Sequence, residues 1–227
     1  MSGELITVFG GSGFLGRYVV RNLCRAGYRV RVAVRKPHLA GDQRLAGDVG
    51  QVQIVQANVR NRPSIQRALE GASGVINLVG ILFERGQQTF EGTQGLGAKN
   101  VAELAAEAGI TNFVQLSAIG ADAESEAEYA RTKAAAEADV RQYMPSAAIV
   151  RPSIIFGPED DFFNRFASMA RFTPALPLIG GGETKFQPIF VGDVADAVVK
   201  ALQSDAAKGR TFEIGGPAVY TFKEILE

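Results

Sequence analysis

Hydrophobic positions along the chain follow two rhythms that alternate from the N-terminal residues to about position 152. Short apolar runs at Leu5–Phe9, 75–79, 113–117 and 148–151 carry the β-branched and aromatic residues of strands covered on both faces. A further run spans 52–55, and 28–34 alternates apolar with polar residues in the manner of a strand. Between these runs lie stretches of helical period: 14–23, 64–69 behind Pro63, 98–108 stopped by Gly109, and 129–143. Strands and helices in such regular succession imply an α/β fold, a doubly wound parallel sheet with helices on both faces.

Beyond Pro152 the rhythm changes. Gly157-Pro158, Pro174, Pro177 and Gly180-Gly181-Gly182 punctuate a loop-rich segment. It contains expected helices at 162–171 and 194–202, and expected strands at 189–191 and Thr211–Ile214. The chain therefore divides into a dinucleotide-binding core, 1–152, and a small C-terminal substrate lobe, 153–227, interleaved with the end of the sheet. Residues 220–227 read as the first turns of a helix, which implies that the chain is truncated from a longer protein. Phe162, Phe166 and Met169 fall on one helical stripe, expected to face the core, whereas Phe163 and Phe172 lie off it.

Charge and cysteine content narrow the function classes. The 227 residues hold 24 Lys plus Arg and 24 Asp plus Glu, a formal net charge of zero, so nucleic acid is not an expected partner. Cys24 is the only cysteine, which excludes an internal disulfide and fits a reducing compartment. No apolar run approaches the roughly 18 residues that cross a bilayer. A cytoplasmic protein, at most peripheral to a membrane, is the expectation; no oligomeric state is implied.

The candidate chemistry begins at the first turn. Gly10, Gly13 and Gly16 stand three apart where the first strand gives way to a helix. Glycine lets backbone approach a ligand closely, and a helix N-terminus offers free N–H groups to a phosphate. Gly10, Gly11, Ser12, Gly13, Phe14 and Leu15 are thus expected around a pyrophosphate. Arg35 and Lys36 follow the second strand, where an acid would pair with a ribose 2′-hydroxyl and arginine accommodates a 2′-phosphate. NADP(H) is favoured over NAD(H). Asn58 and Val59 end the third strand, near an adenine. Leu78, Val79 and Gly80, after Asn77, would place backbone beside the cofactor. Tyr129 and Lys133, four apart, share a helix face. An ammonium there is expected to lower the phenol's pKa for proton exchange, with Ser117 orienting the substrate oxygen.

The sum of Gly10-x-x-Gly13-x-x-Gly16, Ser117, Tyr129-x-x-x-Lys133 and the run from Arg151 to Pro158 resembles the short-chain dehydrogenase/reductase superfamily, in its extended and atypical branches. The segment from Gln187 to Ala195 matches a family pattern too. The resemblance covers effectively the whole chain. It implies a Rossmann-type fold, with Pro152, Ile154 and Ile155 beside the cofactor, Ser117, Tyr129 and Lys133 as catalytic residues, and Lys133 also reaching the nicotinamide ribose. Many relatives carry an asparagine that supports the lysine through water. The aligned position here is Gln94, a departure that bears on the proton relay.

A narrower resemblance, carried by residues 156–169 with Pro174, Pro177 and Leu178, is to the nucleotide-binding accessory subunits of respiratory complex I and their bacterial relatives. It implies tight NADPH binding, respiratory complex I subunits as partners, and a structural or assembly role. Two alternatives stand beside it. One is an active NADPH-dependent reductase or epimerase that uses Tyr129 and Lys133 on a small apolar substrate. The other is an NADP(H)-sensing regulator without chemistry. No metal site is expected: His38, the single histidine, lies in a loop, and Asp122, Glu124, Glu126 and Glu128 read as a solvated helix start.

Overall fold

A computed structural model describes residues 3–86, 88–171 and 179–226. Phe172, Pro174, Pro177 and Leu178 lie outside them. The first half runs β1 (Leu5–Phe9), α1 (Phe14–Arg25), β2 (Arg29–Val34), β3 (Val52–Gln56), α2 (Arg62–Leu69), β4 (Gly74–Asn77), α3 (Leu96–Glu107), β5 (Asn112–Leu116), α4 (Glu128–Tyr143) and β6 (Ala148–Pro152). There follow β7 (Ile155–Phe156), α5 (Phe162–Ala170), β8 (Lys185–Phe186), β9 (Ile189–Phe190), α6 (Val191–Gln203), β10 (Thr211–Ile214), β11 (Tyr220–Thr221) and α7 (Phe222–Leu226).

Seven strands form one sheet in the order β10-β6-β5-β4-β1-β2-β3, and every pairing in it is parallel. The continuous apolar runs are explained by cover on both faces. Ile6 and Val8 of β1 pack with Val19 and Val20 of α1 and Val194 and Val198 of α6 on one side. Phe9 and Val75 join Ile65, Val101, Leu104 and Val140 of α2, α3 and α4 on the other. The strand order reverses at β1, so the C-terminal ends of β1 and β4 open a crevice between them.

Several boundaries differ from the sequence expectation, each for a local reason. The run 75–79 leaves the sheet at Asn77, whose Oδ1 accepts the Val79 N–H at 3.2 Å and turns the chain away. Helix α6 starts at Val191, so the short strand before it ends at Phe190. A π turn, Glu91–Gly95, leads into α3. Residues 220–227 do not begin as a helix: Tyr220–Thr221 pairs with β8 first. Thr221 and Glu224 then make reciprocal caps, with Glu224 Oε2 accepting the Thr221 N–H at 2.7 Å and Thr221 Oγ1 accepting the Glu224 N–H at 3.2 Å.

In the C-terminal segment Phe162 and Phe166 do form a stripe. Their ring centroids lie 5.2 Å apart, and Phe166 is 5.3 Å from Phe222 of α7. Phe163, off the stripe, turns edge-on to Phe156 of β7 at 6.1 Å. Buried Asp160 caps α5, its Oδ1 accepting the Phe163 N–H at 2.6 Å.

Candidate functional site

The turn from β1 into α1 is built by glycine. Gly10 has φ +80°, a conformation that favours glycine, and the Gly13 N–H closes the turn on the Gly10 carbonyl at 3.0 Å. A Cβ on Gly16 would overlap the Gly10 carbonyl oxygen and the Gly11 backbone, so the helix can approach the strand only with glycine there. Helix α1 has no side-chain cap and no acidic residue in its first turn. Its N-terminal N–H groups and positive dipole end are therefore open to an anion.

This turn forms one wall of a cleft of about 240 Å³. Gly10, Ser12, Gly13, Arg35, Asn58, Val59, Leu78, Val79 and Gly80 all line it, each a residue singled out from the sequence. Arg60, Gln88 and Thr93 line it as well and were not anticipated. Arg35 is exposed and has no ion-pair partner among the described residues. Asn58 is held in place: its N–H donates to Ser64 Oγ at 2.9 Å and its Oδ1 accepts the Arg60 N–H at 3.0 Å.

The other expected residues lie off this cleft. Gly11 is wedged among Val8, Val20 and Val32, and Leu15 is buried in the core. Phe14 sets its ring against Gly157 and edge-on to Tyr18, 6.3 Å between centroids. Lys36 is exposed one residue past Arg35. Pro152 ends β6, with its carbonyl accepting the Ile119 N–H at 3.1 Å. The Ile154 carbonyl accepts the Ile189 N–H at 3.0 Å, and Ile155 pairs with Ile189 in β7–β9.

Helix α4 brings Tyr129 and Lys133 together. Lys133 Nζ lies 5.8 Å from the centre of the Tyr129 ring, and that ring sits edge-on to Phe90 at 5.8 Å. Burial pushes the Lys133 ammonium down to about 8, opposed by the charge of Glu137. Glu137 is itself held by Arg151, whose Nε and a terminal nitrogen donate to its two oxygens at 2.9 and 2.7 Å. The expected lowering of the Tyr129 phenol is not what the structure shows. Burial raises it, because the phenol is withdrawn from water. Ser117, just past β5, anchors its N–H on the Val150 carbonyl at 2.7 Å, and its buried Oγ has no hydrogen-bond partner among the described residues.

The arrangement fits a dinucleotide. The uncapped helix end could take a diphosphate, an exposed arginine stands by the second strand, and the buried hydroxyls of Ser117 and Thr93 have no hydrogen-bond partner among the described residues. Among the described residues no group of His, Cys, Asp and Glu is placed to hold a metal ion, and no helix is long and apolar enough to cross a membrane.

Comparison with known proteins agrees with this architecture. The NAD dependent epimerase/dehydratase family matches residues 6–215. The chain is 41% identical to the mitochondrial NADH dehydrogenase [ubiquinone] 1 alpha subcomplex subunit 9 of Arabidopsis thaliana; the match covers 100% of this chain and 57% of that protein. It is 33% identical to the ceramide reductase of Caulobacter vibrioides over 86% of this chain and 60% of the relative. The crystal structure of Pal from Bacillus thuringiensis superposes with a TM-score of 0.80 at 22% identity, covering 98% of this chain and 81% of that one.

Proposed function

The chain belongs to the NAD dependent epimerase/dehydratase family, and on that premise we propose that it is an NADP(H)-binding accessory or assembly component of respiratory complex I. The observation that carries the reading is 41% identity along the entire chain to a protein named as a complex I subunit. Residues 1–152 act as the dinucleotide-binding core and 153–227 as the lobe that closes it. Contacts with other subunits would hold the protein at the inner membrane.

Each part of the cofactor meets a residue suited to it. The pyrophosphate sits at the α1 N-terminus against Gly10, Ser12 and Gly13. Arg35 takes the 2′-phosphate, and the absence of an acid at that position favours NADP(H) over NAD(H). Asn58 and Val59 flank the adenine, and Leu78 to Gly80 support the dinucleotide from β4. When bound, the nicotinamide would supply hydride. Tyr129, with its raised pKa, keeps its proton at neutral pH and is a weak acid.

A second reading is an active reductase on an apolar substrate. The intact Ser117, Tyr129 and Lys133, and the likeness to a protein named ceramide reductase, favour it. Gel filtration of the purified protein separates the two. The accessory reading expects NADPH to stay bound through the column and no metabolite to oxidise it. Rapid release, with turnover that Tyr129→Phe abolishes while NADPH still binds, would decide for the reductase.

A further inference from the structure

The last strand of the sheet borders a second hollow, which shares no lining residue with the dinucleotide cleft. Strand β10 ends the sheet and pairs on one side only, with β6. Its Phe212 and Ile214 pack toward α6, and both stay half-buried where the cover of that helix runs out. On the facing flank of α6, Ala197 and Ala201 stand four apart and are too small to fill the gap. They leave an apolar slot of about 280 Å³, which Val150 of β6 also lines.

Two cations stand on the walls of this slot. Lys200 of α6 lines it and is exposed, and a lysine stem can lie along apolar surface while its head stays in water. Arg210 lines the opposite wall, its guanidinium 5.2 Å from the centre of the Phe212 ring. Neither has an ion-pair partner among the described residues. The acids nearest in sequence are engaged elsewhere: Asp205 pairs with Lys208 at 2.6 Å, and Glu213 with Arg151 at 3.0 Å. Among the described residues no carboxylate lines the slot.

Charge and shape together select the occupant. A neutral hydrocarbon would fill the slot and leave the cations unused, whereas a small anion would do the reverse. A chain of methylenes ended by a carboxylate satisfies both. The volume lies at the lower end of small-molecule sites, which span about 300–1,000 Å³, so it suits one chain of medium length better than a two-chained lipid. We propose that this slot binds a medium-chain fatty-acid anion, with the alkyl chain between Ala201 and Phe212 and the carboxylate between Lys200 and Arg210. The proposal goes beyond the NADP(H) site and does not depend on it.

Calorimetric titration of the full chain with decanoate, with NADPH present throughout, is the test. Decanoate should bind saturably at one per chain, and more tightly than hexanoate, because each buried methylene adds affinity. Lys200→Gln combined with Arg210→Gln should weaken decanoate roughly tenfold, since each exposed charge contact contributes at most about fivefold. Decanol, with the same chain and no charge, should bind wild type and this double variant alike. Ala201→Leu should fill the slot and abolish decanoate binding while NADPH affinity, which reports the folded core, stays unchanged. If Ala201→Leu loses NADPH binding as well, Ala197→Leu, one turn away on the same flank, takes its place with the same expected loss. Decanoate that fails to saturate, binds no better than hexanoate, or ignores both the charge-removing and the slot-filling variants overturns the proposal.

Discussion

Removing Arg35 tests the cofactor assignment at a single contact. The guanidinium lines the cleft, is exposed, and has no ion-pair partner among the described residues, so binding a phosphate would cost it no existing salt bridge. Hydrogen bonds to charged groups contribute about 1.5–3 kcal/mol, and fully exposed ion pairs about 0–1 kcal/mol. A cleft wall lies between these limits, which places the contact near 1.5 kcal/mol. Since about 1.4 kcal/mol is tenfold in affinity, Arg35→Ala should weaken NADPH binding roughly tenfold. NADH lacks the 2′-phosphate and should bind both proteins alike. Calorimetric titration of wild type and variant with each cofactor gives the four numbers required. The NADPH loss should shrink at high salt, where the Debye length falls to about 3 Å near 1 M. Equal losses for NADPH and NADH would refute the reasoning, because Arg35 would then touch a part that both cofactors share.

Gly16→Ala should destabilise the protein by at least the roughly 1–3 kcal/mol typical of overpacking, because its Cβ meets backbone of the β1–α1 turn that cannot yield cheaply. Urea denaturation checks this, and wild-type stability with unchanged NADPH affinity would contradict it. Lys133→Met should stabilise the cofactor-free protein at neutral pH by up to about 3 kcal/mol, since the native state holds a buried ammonium whose pKa falls from 10.5 to about 8. Between those pH values the unfolded chain binds the proton and the native one does not, so wild-type stability rises with pH there. The advantage of Lys133→Met should therefore fade as pH rises through that window. An advantage independent of pH would mean that the lysine costs nothing in its charged form.

The parts of the fold that announce themselves in the chain are those where one local rule dominates. Leu5–Phe9 is a strand because five consecutive residues are buried, and Gly10, Gly13 and Gly16 mark the turn that follows. Arg35, Asn58 and the stretch from Leu78 to Gly80 could be placed on one cleft because each follows a strand at the same edge of a parallel sheet. What stayed hidden depends on neighbours distant in sequence. The π turn at Glu91–Gly95 has no composition signal beyond its glycines, and it delivers Thr93 and Gln94 to the site. Arg60 reaches the cleft through the turn fixed by Asn58 and Ser64. The Tyr129 phenol shifts upward because it is buried, and burial cannot be read from a four-residue spacing. The reciprocal cap between Thr221 and Glu224 likewise went unread, and it fixes where α7 begins, two residues later than expected.

The central claim is that this protein holds NADP(H) as a fixed part of respiratory complex I, and copurification tests it most directly. The protein, tagged at its own locus, would be drawn from gently solubilised native membranes, with its bound nucleotide extracted and identified. The account predicts that complex I subunits accompany it, that the pull-down loses them in a strain lacking the complex, and that the nucleotide is NADP(H) in near-equal amount to the protein. Recovery free of respiratory subunits, with no retained nucleotide, would contradict it.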